Sequence, residues 1–391
     1  PGRPRARRST RRIGTMNEDR TPCIVGVGKT PFGPLYRQLD PDRSAYGLAA
    51  EALESALADA GMERQSIDSV IVARLPSYLK FCADFGLTQV RYANFQSGGG
   101  FQSGLALLQA VALIRSGQAE TVACVYGNNG RSVRVNYGGA PTPTSRYDDP
   151  YGMTSNGAYY AMMFRRHQHE FGTPRETLAE LAISIRSNAA RNPDAVMRTP
   201  ITRDDYFSQP CIVDPLRLYD YCLINDGGVA YLVTTLARAR ALGGVPVRVL
   251  GSAVTGHMSY FYGTEDHWYA CLRRLGQSVF EEAGIAPEDL DVAQIYDNYT
   301  PAIVFALEGM GICGRGESGR WILDGRHRLG STLPLNTAGG HLSEGYMQGW
   351  GHLVEAVRQV RGDAGDNQVA GCEFALDVSC TPICAAHILG R

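Results

Sequence analysis

The chain has almost no net charge, with 38 Lys and Arg against 39 Asp and Glu. Nothing in it favours a nucleic-acid or membrane surface as partner. It has no run of about 18 apolar residues, the length a membrane-spanning helix requires. It also lacks any CxxC pair among its 10 cysteines. Cys380 and Cys384 form a CxxxC spacing, but no second Cys/His pair lies nearby to complete a zinc site. The cysteines therefore read as reduced, mostly buried thiols of a cytoplasmic protein. A phosphate-cradling loop of the P-loop or dinucleotide type is missing too, because GVGKTPFG lacks the required glycine spacing. What remains is a chain with 44% hydrophobic and 20% charged residues, and a small, specific ligand is the expected partner.

Glycine is abundant, at 45 of 391 residues, well above the usual ~7%, which points to tight turns and close backbone approaches. The first fifteen residues hold six arginines and no acid before Met16, and residues 1–20 are expected to be a disordered basic tail. After it, IVGVG reads as a buried strand, and Ser44 to Ala60 as a helix stopped by Gly61. IDSVIVARL and TVACVYGNN are further strands. Between them QSGGGFQSGLALLQAVALIRSG is a helix apolar on nearly every side, so it is expected in the middle of the molecule. Residues 128–215 break this rhythm and read as an inserted loop region with helical pieces at 156–171 and 174–191. The alternation then returns through DGGVAYLVTT, VPVRVLGSAV, a helix near 266–283, DVAQIYDNY, a helix at 301–310 and a strand pair at 371–389. Strand and helix alternate with short turns, which predicts a layered α/β protein. Its N-terminal half is expected over 21–245 and its C-terminal half over 246–391.

Three segments carry the chemistry. Asn94-Phe95-Gln96-Ser97-Gly98-Gly99-Gly100 opens the apolar helix, Tyr296-Asp297-Asn298-Tyr299 ends a strand, and Gly339-Gly340-His341-Leu342-Ser343-Glu344-Gly345-Tyr346 forms a glycine-rich loop. Their combination and order, from about Pro22 to the C-terminus, resemble the thiolase superfamily, in particular its sterol-carrier-protein-thiolase branch. That resemblance implies the thiolase fold, two duplicated βαβαβ-type halves in five α/β/α/β/α layers. Thiolases of this branch place a nucleophilic cysteine where this chain has the Asn94–Gly100 segment, and histidines where it has Tyr296 and Tyr346. A missing thiolate closes the acyl-enzyme route. Ser97 and Ser103 are weak substitutes, since neither has a histidine beside it in the sequence. Two matched exchanges to tyrosine resemble the lipid-transfer-protein type of steroid side-chain retro-aldolase, whose catalytic pair is two tyrosines on these loops.

By that resemblance Tyr296 and Tyr346 are the expected catalytic pair. Asp297, Asn298, Tyr299, Gly98, Gly99, Gly340 and His341 are the expected substrate-binding residues. The implied reaction is retro-aldol cleavage of a 17-hydroxy steroid C20-carboxyl-CoA to a 17-ketosteroid and propionyl-CoA. It needs no metal or redox cofactor, the CoA thioester being substrate. The implied assembly is a homodimer bound to an OB-fold, zinc-ribbon-like domain of an acyl-CoA hydratase. Tyrosine has a reference pKa of ~10, so ionising one at pH 7 costs about 4 kcal/mol unless the site lowers it. That is a fraction of the ~8 kcal/mol or more by which enzymes lower barriers. His352 flanks the same loop, and Arg131, Arg134 and Arg217 are candidate phosphate contacts. The aromatic run His257–Tyr262 is a candidate acyl-pocket wall. Two other readings stay open here: a thiolase with a displaced nucleophile, Cys372 or Cys380, and a non-catalytic acyl-CoA or lipid-binding scaffold.

Overall fold

A computed structural model describes residues 18–135, 149–151, 153, 155–256, 267–380 and 383–391. Most of the basic tail, residues 136–148 of the inserted region and the aromatic run at 257–262 lie outside them. Strand β1 (Pro22–Lys29) is buried along nearly its whole length, as its apolar run predicts. Helix α1 (Ala45–Ala60) starts where the Ser44 hydroxyl accepts the Gly47 N–H at 3.1 Å and ends at Gly61 with φ 62°. Both are the expected start and stop signals. The main elements then follow as β2 (Ser69–Ala73), β3 (Tyr92–Gln96), α2 (Gln102–Ser116), β4 (Thr121–Asn128), α3 (Asn156–Phe171) and α4 (Glu176–Arg191). They continue through β5 (Gly227–Thr235), β6 (Val247–Gly256), α5 (His267–Ala283), β7 (Val292–Ile295), α6 (Pro301–Gly309), α7 (Trp350–Arg361), β8 (Phe374–Cys380) and β9 (Ile383–Gly390).

The strands form a sheet in the order β3-β2-β4-β5-β1-β6-β9-β8-β7. Its two halves meet only where Cys23 and Ile24 of β1 pair with Arg248 and Val247 of β6. Counted outward from that seam, one half runs β1-β5-β4-β2-β3 and the other β6-β9-β8-β7. Each half thus places its first strand beside its last, then the strand before last, then its second, which is the signature of a duplicated unit. Helix α1 covers one half from outside, against β1, β4 and β5, and α5 covers the other, against β6 and β9. Helices α2 and α7 touch strands of both halves and so lie between them. The result is the five-layer helix, sheet, helix, sheet, helix stack of the expected thiolase fold, with the all-round apolar α2 at its centre.

Several glycines are explained by how closely these layers approach. A Cβ at Gly28 would overlap the Ala52 carbonyl, and one at Gly26 the Ala56 carbonyl, because α1 lies with its backbone directly on β1. Strand β3 is not among the strands the sequence predicts, because Asn94–Gly100 reads there as the opening of a helix. It is short and sits at the sheet edge, paired on one side only, with β2. This packing predicts that Gly28→Ala, whose new methyl meets backbone rather than a movable side chain, lowers stability by ~1–3 kcal/mol. Urea unfolding monitored by circular dichroism measures it.

Candidate active site

Tyr296 follows directly on β7, and its N–H donates to the Val378 carbonyl of β8 at 2.9 Å. The strand end is fixed on its other side by Asn336. That side chain accepts the Ile295 N–H at 2.7 Å and donates to the Ile295 carbonyl at 2.8 Å, standing in for a missing strand. Tyr346 lies on the loop before α7, where its N–H donates to the Asn225 side-chain oxygen at 2.6 Å. These two anchors bring residues 50 apart in sequence to a hydroxyl–hydroxyl distance of 2.9 Å. Tyr296 is 2% exposed and Tyr346 is half-buried. The phenol of Tyr296 rests on Gly100, where a Cβ would overlap the ring and hydroxyl. That glycine is two residues before α2, so the phenol sits at the positive end of the central helix.

Asp297 ties the two loops together from behind. Its Oδ1 accepts the His341 backbone N–H at 2.8 Å and meets His352 Nε2 at 2.9 Å. His341 Nδ1 stands 3.4 Å from the same oxygen, while His341 Nε2 accepts the Gly349 N–H at 2.9 Å. An imidazole nitrogen that accepts a backbone N–H carries no proton, so the ring proton of neutral His341 resides on Nδ1, toward Asp297. Burial and the neighbouring His352 hold His341 well below the ordinary histidine range. For His352 burial acts in the same downward sense, but the hydrogen bond and charge of Asp297 outweigh it and its pKa is raised. Protonation is thus disfavoured at His341 and favoured at His352. The His341 ring stands edge-on to both phenols, with centroids 4.6 Å from Tyr296 and 4.9 Å from Tyr346.

Asp297, His341 and His352 bring donor atoms within 4.8 Å of one another, a grouping of the kind that can hold a cation.

The other expected residues divide by place. Gly340, at φ 54° in a π-helical turn over Gly340–Glu344, is required because a Cβ would overlap the second carboxylate oxygen of Asp297. Asn298 accepts the Cys222 N–H through its backbone carbonyl at 3.0 Å. Tyr299 packs between Tyr160 of α3 and Tyr221, with ring centroids 4.8 and 5.1 Å away. Gly98 and Gly99 lie against the Phe101 ring, with Gly98 at φ 128°. Of the arginines, Arg131 stacks on Tyr36 at 3.6 Å and Arg217 donates to the Gln209 carbonyl at 2.6 Å. Arg134 has φ 57° just before the undescribed stretch. Cys372 is buried near Asp291 and pushed up to about 12, chiefly by burial. Asp291 precedes β7 and Tyr296 follows it, so the length of that strand, roughly 13 Å, separates Cys372 from the phenols. The Cys380 side chain lies outside the described residues.

Several residues around the pair were not singled out from sequence. Cys222 lies close enough to influence both phenols and is itself pushed up to about 12, first by burial and then by Asp297. Asn225 and Asn336, which anchor the backbone at Tyr346 and beside Tyr296, complete the surroundings. No local pattern marks them, since their roles follow from which loops meet.

Comparison with known proteins gives concordant results. Residues 252–389 match the family model described as thiolase C-terminal domain-like. The chain is similar to the steroid side-chain-cleaving aldolase of Thermomonospora curvata, at 34% identity over 87% of this chain and 90% of that protein. It is also similar to the 17-hydroxy-3-oxo-4-pregnene-20-carboxyl-CoA lyase of Mycobacterium tuberculosis, at 32% identity over 90% of this chain and 95% of that one. Among solved structures, the Ltp2-ChsH2(DUF35) aldolase superposes with a TM-score of 0.87 and 32% identity, covering 96% of this chain and 98% of that chain.

The His352–Asp297 pair carries a testable pH dependence. Because the folded His352 pKa is raised, its contribution to stability is fully present below the unfolded value of ~6.5 and is lost as pH rises through the folded value. Thermal melts from pH 5 to 9 are expected to show wild-type stability falling relative to His352→Gln across that upper window. A constant difference between the two proteins would contradict the assignment.

Proposed function

Because the chain belongs to the thiolase superfamily and, within it, to the steroid side-chain-cleaving aldolases, we propose that it performs retro-aldol cleavage of a β-hydroxyacyl-CoA at the Tyr296–Tyr346 pair. The substrate we assign is a 17-hydroxy steroid bearing a C20-carboxyl-CoA side chain, and the products are the 17-ketosteroid and propionyl-CoA. The observation that carries this reading is the 2.9 Å contact between two phenols, where a thiolase would use a thiolate and imidazoles.

In the proposed sequence one tyrosine, as phenolate, takes the proton of the C17 hydroxyl. The C17–O bond becomes a carbonyl, the C17–C20 bond breaks, and its electron pair enters the thioester as an enolate. The phenol pair then returns one proton to the α-carbon, forming propionyl-CoA and restoring the starting phenolate. Atoms and charge balance without metal or redox help. Ionising a phenol at pH 7 costs at least ~4 kcal/mol from its reference pKa of ~10, and burial adds to that for both residues. Donors to the phenolate oxygen offset it. The Asp297, His341 and His352 brace holds the two loops so that the oxygens stay in register, which is the positional part of catalysis.

We also read the chain as a homodimer working in the cytoplasm. The partner carried by the Ltp2-ChsH2(DUF35) aldolase supports assembly with an OB-fold, zinc-ribbon-like domain of an acyl-CoA hydratase. Among the described residues no helix is long and apolar enough to cross a membrane. Of the two candidates of the displaced-nucleophile reading, Cys372 is disfavoured, its thiol being pushed up to about 12 by burial.

The test incubates the chain, with and without the hydratase domain, with the 17-hydroxy steroid-CoA and measures propionyl-CoA. Tyr296→Phe and Tyr346→Phe are each expected to lower kcat by ~10²–10⁴-fold with circular dichroism unchanged. Full turnover by both folded variants would remove these residues from the chemistry.

A further inference from the structure

The turn that presents Tyr346 has little shape of its own. It opens on Gly339 at φ 109° and Gly340 at φ 54°, and its π-helical turn closes with the Gly345 N–H on the Gly340 carbonyl at 3.2 Å, one residue before Tyr346. Turns of this kind are rare and gather at functional sites. Three side-chain ties hold this one. Asp297 accepts the His341 N–H, the Arg186 guanidinium of α4 donates to the Ser343 hydroxyl at 2.8 Å, and Lys29 Nζ donates to Glu344 Oε1 at 2.6 Å. The first tie runs to the strand end of Tyr296 and the second to the insert. The third spans 315 positions to the last residue of β1, the strand at the seam between the two halves of the sheet.

The Lys29–Glu344 pair is buried, with side chains 5% and 3% exposed. Asn192 adds a second donor to Glu344 Oε1 at 3.3 Å and also donates to the Ala338 carbonyl just before the turn at 2.9 Å. The other carboxylate near Lys29 is Asp194, at 3.5 Å and 37% exposed, and the ammonium lies 5.5 Å over the Phe32 ring. That same ring closes on Gly345, where a Cβ would come within 2.8 Å of it. The residue between Glu344 and Tyr346 is therefore pressed against the surroundings of Lys29. A buried ion pair contributes no more stability than well-packed apolar side chains of similar volume, so stability alone does not account for charges at this place. What the charges add is direction. A 2.6 Å contact fixes where the Glu344 carboxylate stands, and rotation of the short backbone from Glu344 to Tyr346 would carry the phenol off its 2.9 Å contact with Tyr296.

We propose that Lys29 and Glu344 are positioning residues of the reaction, their buried ion pair tying the Tyr346 turn to β1 and so setting the hydroxyl–hydroxyl register of the phenol pair. Both act through the turn and not on the substrate. The kinetic consequence rests on the retro-aldol reading, whereas the geometric one does not.

The test replaces the whole pair in the full chain, Lys29→Met together with Glu344→Leu. This double variant leaves no buried charge without a partner, because Asp194 reaches solvent, and its melting temperature is expected to stay near that of the wild type. Its kcat is expected to fall about 100-fold, the effect of misplacing a reacting group by about 1 Å, with KM little changed. Its crystal structure should show the two phenol oxygens more than ~3.5 Å apart, beyond hydrogen-bond reach. Lys29→Met alone, which leaves Glu344 buried without its cation, should lose kcat to the same degree and lower the melting temperature as well. If the double variant does not fold, Glu344→Gln, which keeps the side-chain shape and removes the charge, carries the same two readouts. Phenol oxygens still in contact in whichever variant folds overturn the proposal. So does a kcat that returns to the wild-type value with the melting temperature in the double variant while Tyr296→Phe and Tyr346→Phe remain impaired, since that is the result of a role in stability alone. Separated phenols combined with full turnover of the two phenylalanine variants would instead leave the positioning standing and dismiss the reaction assignment.

Discussion

A single buried carboxylate oxygen, Oδ1 of Asp297, receives the backbone N–H of His341 and the ring N–H of His352 and lies beside the ring of His341. Everything distinctive about the site follows from that convergence. Asp297 sits next to Tyr296 in sequence, and His341 and His352 bracket Tyr346. One carboxylate therefore fixes the strand end that presents the first phenol to the loop that presents the second. A buried charge of this kind is tolerated only when paired and hydrogen-bonded, and the raised pKa of His352 is the complementary half of the pair. Gly340 has no freedom to become anything else, because a side chain there would displace the carboxylate.

The duplicated fold supplies the rest of the geometry. The two sheet halves enclose α2 and α7, and the phenols meet where the approach to α2, the end of β7 and the turn before α7 come together. Gly100 leaves space for the Tyr296 ring beside the first turn of α2. In a thiolase that region serves a cysteine, and here a phenol has moved onto it. The same positive helix end that would favour a thiolate favours negative charge on the phenol pair. Reaction class thus changes while the scaffold that focuses charge on the site stays the same.

The fold was legible in the chain to a large degree. Helix α1 with its Ser44 cap and Gly61 stop, the central position of α2, the strands around Val25, Val125 and Val233, and the helices of the inserted region all stand where periodicity puts them. Tyr296 and Tyr346 were legible through motif position, and no composition rule would have selected them from 20 tyrosines. Histidines 341 and 352 looked like flanking residues, and their shared use of Asp297 emerges only in three dimensions. Strand β3 was hidden because five residues leading into a glycine cluster carry no alternation. Asn336, at φ 45°, was hidden for a different reason. A polar residue at positive φ breaks local preference, and sequence reading expects glycine there. This departure from local preference sits beside Tyr296, as expected when a site imposes its own conformation.

The central claim is that the hydroxyl to be deprotonated meets the phenol pair directly. A crystal structure with a substrate analogue whose thioester is replaced by a thioether, which keeps the C17 hydroxyl but cannot form the enolate, measures this most directly. The account predicts the C17 oxygen within ~2.6–3.2 Å of a phenol oxygen, the range for proton transfer. A bound analogue whose hydroxyl contacts other groups, with both phenols covered by protein, would contradict it.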